Sequence, residues 1–110
     1  MKKKYRVRKT QEFDQIMKKK KFYTCPSFVL YVKPRVGDHA RFGISAGKKL
    51  GNAVIRNKVK RQVRMMIQQI CTFDENFDAI LLVRDKYMQE NYDTNKKRLE
   101  TLVKKVKIDR

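Results

Sequence analysis

Acids are scarce in this sequence. Asp and Glu number 11 of 110 residues, against 29 Lys and Arg, so the formal net charge is +18. No acid occurs between Asn52 and Ile70. Histidine appears once and cysteine twice. His39 sits beside Gly37 and Asp38 in a turn-like stretch and reads as a loop residue, not a catalytic base. Cys25 and Cys71 lack metal-ligand spacing and read as two reduced thiols. There is no plausible His, Cys or Ser triad, so no catalytic residue is expected in the chain, and no metal-ligand set either. Asp74, Glu75 and Asp78 read as a turn leading into a strand. No apolar run reaches the ~20 residues of a membrane span. The basic start MKKKYRVRK is not followed by the apolar stretch of a secretory signal. No internal repeat or low-complexity linker interrupts the chain.

What remains is enough for one domain, residues 1–110, with one core. A charge of +18 works against a compact chain through self-repulsion, so a polyanionic partner is expected. Nucleic acid is the leading candidate. An acidic membrane surface is disfavoured, because no strongly amphipathic basic helix carries aromatic anchors. A structural RNA-binding protein, such as a ribosomal component, fits the same size and charge.

The periodicities predict a helix over residues 11–20, capped by Thr10, with Glu12 and Asp14 near its positive end. Phe13, Ile16 and Met17 share one of its faces. A short strand over 22–24 precedes Pro26, and SFVLYV, residues 27–32, is a clear strand. The stretch KPRVGDH reads as a loop. A strand over 41–46 ends at Gly47, and a long helix runs over 52–70. FDAILLVR, residues 77–84, is apolar on both faces and so reads as a central strand. A last helix over 92–108 carries the stripe Leu99, Leu102, Val103 and Val106. This order implies one mixed sheet packed with helices.

The long helix has two faces. At about 100° per residue, Arg56, Asn57, Lys60, Arg61 and Arg64 fall within roughly 140° of one another. Ile55, Val59, Val63, Met66, Ile67 and Ile70 gather on the other side. One face would pack on the sheet while the other presents cations. A solvated helix normally mixes charge signs and gains i,i+4 pairs. Aligned cations without acids fit phosphates instead, which Arg holds bidentately and which release counterions on binding.

Alternation places Phe42, Ile44 and Ala46 on one side of their strand, and Arg41, Gly43 and Ser45 on the other. Phe28, Leu30 and Val32 likewise oppose Val29 and Tyr31. The second side would form a shallow groove walled by the first helix near Phe13 and Met17. Such apolar and aromatic walls beside an Arg suit single-stranded nucleotides, whose bases stack while cations follow the phosphates.

The stretch RFGISAGKKLGNAVIRNKVKRQVR, from Arg41 to Arg64, resembles the signature of the bacterial ribonuclease P protein component. The pattern is carried by Lys48, Lys49, Gly51, Asn52, Ala53, Val54, Arg56, Asn57, Lys60, Arg61 and Arg64. EFDQIM, SFVLYV and FDAILLVR extend the likeness over nearly the whole chain. Departures are Gly47 where Ser is common, Met65 and Met66 after Arg64, and Met17 at an often aromatic position. The resemblance implies an α+β fold, a two-layer αβββαβα sandwich with one mixed sheet, like domain 2 of ribosomal protein S5, with a left-handed βαβ crossover. It implies a cytoplasmic endoribonuclease subunit that helps remove 5′ leaders from precursor tRNA, with catalysis carried by an RNA subunit and Mg²⁺. It implies RNA binding by Lys48, Lys49, Asn52, Arg56, Asn57, Lys58, Lys60, Arg61 and Arg64. A leader cleft would comprise Phe13, Met17, Val29, Tyr31, Arg41 and Ser45.

Overall fold

A computed structural model describes residues 1–107. Its elements run α1 (Thr10–Lys18), β1 (Phe22–Thr24), β2 (Phe28–Pro34), β3 (Phe42–Ala46), α2 (Ala53–Ile70), β4 (Phe77–Val83) and α3 (Tyr92–Lys105). The strands form one mixed sheet in the order β1-β2-β4-β3. β1 pairs antiparallel with β2, and β2 antiparallel with β4. β3 lies parallel to β4, so α2 is the crossover between them. FDAILLV therefore occupies the inner position its apolar run predicts, buried along almost its whole length.

The pleat sorts the side chains. Phe28, Leu30 and Val32 from β2, and Phe77, Ala79, Leu81 and Val83 from β4, turn to one face. Val59, Val63, Met66 and Ile67 of α2, with Leu99 and Leu102 of α3, cover that face. Fully burying each such side chain contributes about 1.5–3 kcal/mol before the opposing chain entropy. Val103 of α3, and Val106 in extended backbone just past its end, pack at the edge of this core. A smaller cluster on the opposite face joins Val7, Ile16 and Ile80, with Phe13, Met17 and Tyr31 packed against it. That cluster seats α1. An added Cβ at Gly43 would lie 2.6 Å from Ile80 Cδ1 and 2.7 Å from Phe13 Cζ. The bare backbone there lets α1 approach the sheet.

Several expectations shift. Thr10 is not a cap but the first helical residue; Lys9 holds the extended cap position and makes no side-chain cap bond. α1 stops at Lys18, just ahead of Lys20 with φ +54°. β2 continues through Lys33 and Pro34, which sequence pattern assigns to a loop. Their partners Asp78 and Phe77 on β4 extend the ladder that far. α2 begins at Ala53 because Asn52 caps it, its Oδ1 accepting the Ile55 N–H at 3.0 Å. Ile55 leaves the apolar face and is 37% exposed. It lies in the first helical turn and packs over Gly51, whose φ of +144° and closeness to Ile55 both require glycine. α3 ends at Lys105, where Val106 turns extended; Ile108, the expected end, lies outside the described residues.

His39 is a loop residue, as its turn-rich neighbours imply. Its Nδ1 meets Asp38 at 2.7 Å, and its Nε2 meets the Lys4 carbonyl at 2.7 Å. Glu75 closes the turn after α2 by accepting the N–H groups of Thr72 and Phe73 at 3.1 and 2.8 Å. Cys25 and Cys71 are free thiols, and burial pushes Cys71 up to about 12.

Candidate nucleic-acid interface

The start of α2 is built to present cations. Leu50 is buried and anchors a 3-10 turn over Lys48–Leu50, leaving Lys48 and Lys49 exposed. Gly51 and Asn52 then turn the chain into the helix. Lys48 and Lys49 thus stand at the positive end of the helix dipole, where cations are disfavoured and anions favoured. Along the helix, Asn57, Lys58 and Arg61 are exposed, while Arg56, Lys60 and Arg64 are half-buried. Among the described residues none of these cations forms an ion pair. The Nε of Arg56 is buried without a hydrogen-bond partner. Burial, and then the neighbouring charge of Arg6, hold the Arg64 guanidinium below its ordinary pKa. Unneutralised, crowded guanidinium groups are a surface that gains from a polyanion.

The opposite face of the sheet brings together the side chains that alternation assigns to the groove. Val29, Tyr31 and Ser45 are half-buried there, as are Phe13 and Met17 on α1. Arg41 lies in the same region, but its charge is matched. Its Nη2 meets Glu12 Oε2 at 2.6 Å and Asp78 Oδ2 at 3.1 Å. The hydrogen bond to Arg41 is the main reason the Glu12 carboxyl titrates below its usual range.

Phe22 extends the aromatic wall and escapes the sequence pattern. It pairs across the ladder with Tyr31, their ring centroids are 5.7 Å apart, and it is 52% exposed. The β1–β2 register was the missing information. Opposed residues of an antiparallel pair project to the same side.

No three His, Cys, Asp or Glu side chains converge as a metal ligand set among the described residues. No helix among them is long and apolar enough to cross a membrane.

A mixed α+β sheet with an acid-free cationic helix on one face and half-buried aromatic side chains on the other has the build of an RNA-binding protein. The ribonuclease P family model matches residues 1–107. The ribonuclease P protein component of Mesoplasma florum is 46% identical over 94% of this chain and 96% of its own length. That of Mycoplasma capricolum subsp. capricolum is 43% identical, over 97% of this chain and its full length. The structure of the Staphylococcus aureus RNase P protein superposes with a TM-score of 0.82 at 35% identity, covering 91% of this chain and 93% of that one. The Thermotoga maritima RNase P protein gives 0.82 at 26% identity, over 94% and 98%. The chain belongs to the ribonuclease P protein family: it is the protein subunit of the endoribonuclease that matures tRNA 5′ ends.

Proposed function

We propose that the two faces of the sheet divide the RNA between them. The cationic face of α2, with Lys48, Lys49, Asn52, Arg56, Asn57, Lys58, Lys60, Arg61 and Arg64, holds the catalytic RNA. The groove of Phe13, Met17, Val29, Tyr31 and Ser45, with Phe22 beside it, receives the 5′ leader of precursor tRNA. The absence of any ion pair on the α2 cations among the described residues carries this reading. A merely solvated face would mix signs and pair them. Arg41 contributes to the groove as the strut that fixes α1 to the sheet, since two carboxylates already neutralise it.

In this reading residues 1–110 form one RNA-binding domain, working in the cytoplasm. The β3–α2–β4 crossover is left-handed, against the usual preference, and the sandwich is like domain 2 of ribosomal protein S5. In this reading Mg²⁺ is held mainly by the RNA subunit; among the described residues no three His, Cys, Asp or Glu side chains converge as a ligand set. An ion held there would supply stabilisation of charge developing at the scissile phosphate. The protein's part is to bind and orient RNA.

Reconstitution tests the reading. The protein, added to the catalytic RNA at low Mg²⁺, should raise cleavage of precursor tRNA at the leader junction. Cleavage at low Mg²⁺ that is indifferent to the protein would refute it.

A further inference from the structure

β3 is the outer strand of the sheet, so one edge of it is open to pairing. The N-terminal segment takes that edge. The Val7 N–H donates to the Phe42 carbonyl at 3.0 Å, and Arg6 bridges Phe42 in parallel. Val7 is buried with Ile16 and Ile80. Tyr5 stacks on Phe73 with ring centroids 4.1 Å apart, and His39 holds the Lys4 carbonyl. Residues 4–7 are thus part of the packed fold.

This docking carries cations into a specific place. A cavity of about 410 Å³ opens between the N-terminal segment, α1, β3 and α2. Arg6, Arg8, Lys60 and Arg64 line it with Lys3, and Phe13 of the groove borders it. No acid lines it, and none of these five cations forms an ion pair among the described residues. Arg6 Nε is buried there without a hydrogen-bond partner. Arg6 and Arg64 lie close enough for the charge of Arg6 to depress the pKa of Arg64. Two guanidinium groups held together by burial, with donors unspent, have the character of a site that an anion completes.

We propose that Arg6 and Arg64, assisted by Arg8 and Lys60, form a seat for a single RNA phosphodiester, joining the cationic face of α2 to the groove at Phe13. This rests on the RNA-binding reading above and adds the N-terminal segment to the contact surface. The phosphate comes either from the leader or from the catalytic RNA, and the chemistry of the seat is the same for both.

Arg6→Gln tests the seat because binding and folding should move in opposite directions. In low-salt buffer without sulfate the variant should be at least as stable as the parent, since it loses only repulsion with Arg64. Sulfate should stabilise it less than it stabilises the parent. Its affinity for RNA should fall about tenfold, as expected for a lost charged hydrogen bond. The salt slope should fall by about one. Arg6→Lys, which keeps the charge but not the fork, should recover part of that loss. Two arms locate the phosphate. Weaker assembly with the catalytic RNA assigns it there. Weaker holoenzyme binding of leader-bearing precursor, with mature tRNA unaffected, assigns it to the leader. Unchanged affinity in both arms with an undiminished sulfate response would overturn the proposal. So would a variant less stable than the parent without sulfate whose RNA affinities are intact, because Arg6 would then only build the wall. Arg56→Ala, measured in parallel, reads the α2 face separately. Normal assembly by that variant beside weak binding by Arg6→Gln would remove the proposed α2 contact and leave the seat standing.

Discussion

Arg41 reaches from the start of β3 to a fully buried carboxylate: its Nη2 meets Asp78 Oδ2 at 3.1 Å, while its backbone N–H donates to Asp78 Oδ1 at 3.0 Å. Glu12 on α1 takes the same Nη2 at 2.6 Å. One side chain thus ties α1, β3 and β4 together at the end of the groove. The consequence for function is a division of labour. Arg41 positions the wall beside Phe13, whereas the cations of α2 and Arg6 and Arg8 of the N-terminal segment form no ion pair among the described residues.

Removing this strut should be costly. Arg41→Ala leaves the Asp78 carboxylate buried with only a backbone donor, and breaking such a pair typically costs about 3–5 kcal/mol. Denaturant unfolding should show a shift toward that size. A loss below about 1 kcal/mol would mean that the pair is surface-like.

The Glu12 contact should give a pH signature. Its folded carboxyl titrates below the ordinary value of 4.5, chiefly through the Arg41 hydrogen bond. The contribution is therefore present above pH 4.5 and is lost as pH falls through the lower, folded value. Glu12→Gln should be less stable than the parent near neutrality, by about 1 kcal/mol for a partly exposed pair. The two unfolding curves should converge below the folded value. A difference that persists unchanged into acid would point to packing instead of charge.

Arg56→Ala should weaken assembly with the catalytic RNA and lower the salt slope of binding by about one, as for one lost phosphate contact. Filter binding or anisotropy over a salt series measures both. Equal affinities and slopes for variant and parent would count against the α2 face.

Anions should stabilise the fold. Arg56, Lys60 and Arg64 are half-buried on one helix with no acid to offset them. Sulfate bound to the folded state should raise the melting temperature, the added stability growing with the logarithm of sulfate concentration once the site is filled. The control holds ionic strength constant with chloride, and indifference to sulfate under that control would remove the argument.

Tyr31→Ala removes a half-buried ring that packs beside Phe22. A lost stacking platform costs about 1–3 kcal/mol per base. Binding of leader-bearing precursor tRNA should weaken by that amount, while mature tRNA and the catalytic RNA bind as before. Equal weakening of precursor and mature tRNA by a folded variant would assign Tyr31 to the core alone.

The residues legible in the sequence are those fixed by the local geometry of the chain. A strand alternates every residue, so Phe28, Leu30 and Val32 separate from Val29 and Tyr31 whatever lies next to them. A helix repeats every 3.6 residues, so Val59, Val63 and Ile67 gather on one side of α2 and Arg56, Lys60 and Arg64 on another. Asn52, Gly51 and the acid-free run mark where that helix starts and what it presents. Local pattern could not decide which distant segments meet. Lys33 and Pro34 become strand only because Asp78 and Phe77 lie opposite them. Arg41 looks like a free cation in sequence, and it is neutralised because folding sets Glu12 and Asp78 against it. Arg6 reads as part of a basic tail until Val7 pairs with Phe42 and carries it beside Arg64. Such pairings depend on closing long loops of chain and on the burial that offsets their entropy. That energy belongs to the whole packed sheet and is not contained in any short stretch of residues.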